Sequence, residues 1–133
     1  SADKAHASHP YHPEYADPGN APVMGGGRVI KYNANLSYCT DSVSAGVFRK
    51  ICGRAGVRVQ TYHNRADLTG GSTLGRISLA HVSVPTVDIG LAQLAMHSCY
   101  ETAAVSDAID LENAMAAYYG ATLEATQTGF VIR

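Results

Sequence analysis

The chain has 133 residues, enough for one domain with a true core, and 46% hydrophobic against 16% charged residues describe a globular rather than a disordered chain. A formal net charge of −1 gives no electrostatic case for nucleic acid or for an anionic membrane surface. No apolar run nears the roughly 18–20 residues of a membrane span, and no signal peptide is visible, so a cytoplasmic protein is expected.

Residues 1–27 read as loop, because Pro10, Pro13, Pro18, Pro22 and the triple glycine Gly25–Gly27 interrupt any regular element. Arg28 to Asn33 alternates in the manner of a strand. Asp41 or Ser42 can cap a helix whose apolar positions are Val43, Val47, Phe48, Ile51, Cys52 and Ala55, with Gly56 as its stop. Val57 to Tyr62 reads as a strand, and Ser72 or Thr73 opens a short helix reaching His81. Pro85 to Ile89 is the next strand, and Ala104 to about Ala121 a helix. Thr126 to Arg133 reads as a last strand or as disorder. Strands alternating with helices predict an α/β domain with a mostly parallel sheet flanked by helices. The expected divisions are an active-site loop region over 1–27, an α/β core over 28–121 and a tail over 122–133.

Two stretches carry chemistry. In the first, the β-branched run Val84 to Ile89 ends in Asp88 and Gly90, and His97 follows in a context of small and apolar residues. A parallel strand that stops before a functional loop is a common way to deliver a metal ligand; a core histidine satisfied by a backbone carbonyl is the competing reading. In the second, Asp3 and His6 precede a proline-broken loop and can converge on one ion or substrate. Carboxylate and imidazole are ordinary zinc ligands.

Other residues offer weaker signals. Lys31, at a strand end, suits an acidic substrate side chain, and the Tyr38 phenol can donate to a carbonyl. Gly70 to Gly75 spells GxxxxG but continues with Arg76 and Ile77, which rejects a phosphate-binding loop. Glycines ahead of a helix still expose backbone N–H groups, which draws in Gly71, Ser72 and Thr73. Glu101 stands four residues after His97, and on a helix the two would share a face, leaving the carboxylate able to orient the imidazole. Cys39, Cys52 and Cys99 are odd in number and lack CxxC spacing, so they read as reduced thiols and not zinc ligands. A cysteine hydrolase using Cys99 is the weakest alternative.

Asp3–His6 with His9-Pro10, the Gly25–Lys31 segment, Gly71–Gly75, Thr86–Gly90 and His97 occur in one order from Ser1 to about Tyr119. In that order they resemble the aspartyl aminopeptidase family, the M18 di-zinc metallopeptidases. The resemblance implies the C-terminal part of a catalytic domain, the buried strand before Asp3 being missing. It places Asp3 on one zinc and His97 on the other, although other divalent metals can serve. It implies that His6 stabilises the oxyanion, that Lys31 and Tyr38 recognise substrate, and that the Gly71–Ser72–Thr73 loop lies beside the active site.

The remaining ligands and a Glu-Glu pair would belong to the rest of the catalytic domain. The implied activity removes N-terminal, preferentially acidic, residues from peptides, and the implied assembly is a homo-oligomer, a dodecamer by analogy. The alternative is a non-catalytic fragment or degenerate homologue acting as an assembly or folding module. The chain departs from the family pattern at Lys4, where methionine is usual, at Tyr11-His12, Asn20, Ser37, Gly70, Arg76 and Tyr100.

Overall fold

The computed structural model describes residues 1–72 and 74–133. Its main sheet runs in the order β1 (Ala2–His6), β4 (Ile89–Leu94), β2 (Arg28–Tyr32), β3 (Val59–His63), with the short β5 (Thr102–Ala103) paired to β4. β1 runs parallel to β4, and β2 parallel to β3, each over five registered pairs; β2–β4 and β4–β5 are antiparallel over two pairs each. The expected mostly parallel sheet is therefore present. Helices α1 (Ser42–Arg54) and α3 (Val105–Gly120) pack on one face, and α2 (Leu74–Leu79) is a short helix ahead of β4.

Both faces of the sheet are covered, as parallel sheets require. Ile30 and Ile89 turn toward α1 and α3 and pack with Phe48, Cys52, Val57 and Ala114. Val29, one residue away on β2, joins Ala5, Tyr38, Tyr62 and Ala92 in a second cluster. That alternation is the two-residue period of a strand.

α1 forms where its sequence said. The Ser44 N–H donates to Asp41 Oδ1 at 2.7 Å, and the Asp41 N–H donates to Ser44 Oγ at 3.1 Å, a reciprocal cap. Gly56 ends the helix at φ +68°, a conformation cheap only for glycine. α3 likewise matches its predicted span within a residue.

Two expectations need correction. Residues 1–27 are not all loop: Ala2–His6 is a sheet strand. Its pairing is stabilised by β4 and not by local propensity. The strand expected at Pro85–Ile89 begins only at Ile89. Pro85 lacks an N–H, and the buried stretch runs on through Gly90 to Gln93 instead. Gly90 permits this: a Cβ there would lie 2.9 Å from that of Ala5, so glycine lets β1 and β4 close. The last strand expected in the tail is present as β7 (Gly129–Ile132), paired in a hairpin with β6 (Leu123–Thr126).

Candidate active site

The site lies where β1, β2 and β4 present side chains to one region. On β1, Asp3 Oδ2 stands 3.5 Å from Lys31 Nζ on β2. Lys31 is 1% exposed, and its ammonium also donates to the Lys4 carbonyl at 3.1 Å and sits 4.7 Å from the centre of the Tyr38 ring. A desolvated ammonium needs such partners, because burial penalises its charge. Burial lowers the Lys31 pKa; Asp3 and Asp88 work against that. The Tyr38 phenol is pushed up to about 12, chiefly by burial, with Tyr62, Asp88 and Asp3 adding to it.

His6 ends β1 and registers with Gln93 on β4. Its pKa is lowered first by burial, then by His97 and Lys31. His6, His97 and Lys31 thus share one electrostatic neighbourhood, and His6 is held toward the neutral imidazole.

After β4 the chain turns through Ala95 at φ +55° and His97 at φ +69°, two residues with side chains in the left-handed region. Such backbone costs energy and persists only when its surroundings hold it. Here the His97 N–H donates to Glu101 Oε1 at 2.6 Å. This corrects the helical expectation for His97 and Glu101. They lie in the connection between β4 and β5, and the carboxylate grips the backbone of His97. β5 pairing back onto β4 closes that connection.

A cleft of about 370 Å³ opens beside these residues and is lined by His6, Tyr38, Gly71 and Gln93 among others. Asp3, Lys31 and His97 stand next to its lining, not in it. Ser72 is exposed between Gly71 and α2, and the expectation for Thr73 lies outside the described residues. Two further residues carry no role in the sequence reading. Gln93 is 1% exposed on the cleft wall and accepts the Lys4 ammonium at 2.8 Å; the available signal was a carboxamide inside an apolar strand. Asp88 is fully buried beside Lys31 and Tyr38.

Among the described residues, no three His, Cys, Asp or Glu side chains form a group able to hold a metal ion. Asp3 and His97 are of the right chemistry for zinc, one oxygen and one nitrogen donor. They fit as donors to a centre completed by other residues.

The family described as "Aminopeptidase I zinc metalloprotease (M18)" matches residues 1–120. The chain is 44% identical over 123 residues to a "Probable M18 family aminopeptidase 2" of Mycobacterium leprae, covering 92% of this chain and 29% of that protein. It therefore spans less than a third of that relative's length. In fold it is similar to a chain of the "Cryo-EM structure of the Ape4 and Nbr1 complex", at TM-score 0.82 and 34% identity, covering 90% of this chain and 23% of that one. It is also similar to an M18 aminopeptidase of Thermotoga maritima, at TM-score 0.74 and 27% identity, over 88% and 27% of the two chains. With the match running through β1, the sheet, both long helices and the His97 loop, the chain belongs to the M18 aminopeptidase family.

Proposed function

We propose that the complete protein is a metalloaminopeptidase that removes N-terminal, preferentially acidic, residues from peptides with two zinc ions, and that this chain supplies part of its site. One observation carries the reading: Asp3 and His6 of β1, Lys31 of β2, Tyr38 of the loop after it and His97 beyond β4 share one electrostatic neighbourhood. Asp3 and His97 would hold the metals, which when bound polarise the scissile carbonyl and activate water. His6, held neutral, offers an imidazole N–H to the developing oxyanion. The Tyr38 phenol, kept protonated by burial, donates to a substrate carbonyl. Gly71 lines the cleft beside these residues. Lys31 would carry the acid preference: with Asp3 serving as a metal ligand, the Lys31 ammonium would pair with a substrate carboxylate. Glu101 keeps His97 on station through its backbone. We assign a homo-oligomer in the cytoplasm, in keeping with the free thiols of Cys39, Cys52 and Cys99.

A non-catalytic assembly module is the second reading, favoured by the incomplete donor set of the described residues. Zinc content before and after chelation, measured with hydrolysis of an N-terminal aspartyl peptide, separates the two. About two zincs per complete protomer with chelator-sensitive turnover supports the enzyme. Absence of both supports the module.

Lys31→Ala is expected to lower the ratio of aspartyl to alanyl peptide turnover about tenfold, the order expected for one charge-assisted contact. An unchanged ratio would remove Lys31 from substrate recognition.

A further inference from the structure

Asp88 has no place in the roles above, yet it ties together the segments that carry them. Its carbonyl accepts the Lys31 N–H at 2.9 Å, so it sets the backbone of β2. Its Oδ2 accepts the Cys39 N–H at 2.6 Å, and its own N–H donates to Thr40 Oγ1 at 2.9 Å, so it grips the loop that bears Tyr38. A short N–H bond to a carboxylate is about twice as strong as its neutral counterpart. On the other side the carboxylate presses against α2. A Cβ built on Gly75 would lie 2.8 and 2.9 Å from its two oxygens, closer than real Cβ contacts come. Its charge also acts on both Lys31 and Tyr38. Burying a carboxylate this completely is costly unless its bonds are all used.

We propose that Asp88 is a positioning residue for substrate recognition. Its carboxylate holds the Tyr38 loop against the start of β4, fixes where Tyr38 and Lys31 stand, and requires glycine at position 75 to admit it. The kinetic half of the proposal rests on the aminopeptidase reading above.

Two substitutions reach the carboxylate from opposite sides. Asp88→Asn keeps its shape and removes its charge. Gly75→Ala keeps the charge and pushes the carboxylate away, although glycine to alanine within a helix ordinarily stabilises. In the complete enzyme both variants are expected to raise KM for an aspartyl peptide roughly tenfold with kcat held within about twofold, the lower end of effects seen for residues that orient a site. In the 133-residue chain both are expected to speed solvent exchange of the Cys39 amide and to weaken the nuclear Overhauser contact between the Lys31 side chain and the Tyr38 ring.

A folded Gly75→Ala protein with wild-type Cys39 exchange and wild-type KM overturns the proposal. So does a loss of kcat that merely follows lost stability, or unfolding of both variants. If the wild-type enzyme hydrolyses no peptide, the aminopeptidase reading fails by itself. Amide exchange and the ring contact then decide on Asp88, and their persistence in both variants overturns it.

Discussion

Replacing Asp3 or His97 by alanine in the complete enzyme is expected to lower peptide hydrolysis at least about a thousandfold, equivalent to about 4 kcal/mol in the barrier. Each variant should also lose bound zinc, and the fold should survive. The Asp3 side chain is 41% exposed at the sheet edge, and His97 lies in an exposed connection, so neither is part of either core cluster. Asp3→Ala has one structural cost that His97→Ala lacks: it strips the buried Lys31 of the carboxylate 3.5 Å away, leaving Asp88 to act on it alone. Its unfolding midpoint should therefore fall further. Zinc content, turnover and a denaturant melt on the two variants test all three points. Turnover retained in either variant overturns its assignment as a ligand.

Asp107→Ala is expected to be the most destabilising single change, by about 3 kcal/mol or more. Asp107 is fully buried in the first turn of α3. Its carboxylate accepts the Gly25 N–H at 2.7 Å and the Gly27 N–H at 3.0 Å, and so fixes the glycine segment that feeds β2. Its carbonyl accepts Nη1 of the fully buried Arg28 at 3.0 Å. Burial lowers the Arg28 pKa, and Asp107 is the first influence offsetting it. Removing the carboxylate leaves two N–H groups without acceptors and a buried guanidinium without its main counter-charge. It also removes an acid favoured near a helix N-terminus. The measurement is the denaturant midpoint at constant slope. A change below about 1 kcal/mol would mean the loop relaxes to find other acceptors.

Elements built from local signals were legible in the sequence. The sequence marks the stop of α1 at Gly56 and its start at Asp41 or Ser42; the structure selects Asp41, with Ser44 closing the cap. β1 was not legible. Ala-Asp-Lys-Ala-His has no β-branched residue and no alternation, and it is a strand only because β4 lies beside it. The same distance effect misplaced β4. Its β-branched prelude looked more strand-like than Gly-Leu-Ala-Gln, but only the latter can approach β1 closely.

In the site, Asp3, His6 and His97 stood out because of motif order. The burial of Lys31 did not, since lysine on a strand end is usually solvated and its pairing with Asp3 is a fact of three dimensions. Glu101 was picked out for the right neighbour and the wrong reason. It holds the backbone of His97 across a turn and does not share a helix face with it.

The β1–β4 pair has a consequence for how the chain is made. Ser1 and Val87, whose backbones meet beside it, are 86 positions apart. During synthesis at about 5–20 residues per second, β1 waits several seconds before its partner leaves the ribosome. Pairing so distant in sequence is slow to close even after that. A strand of valine and isoleucine would spend this interval as a template for aggregation. Ala-Asp-Lys-Ala-His, with two charges and no large apolar side chain, can wait in water without that hazard.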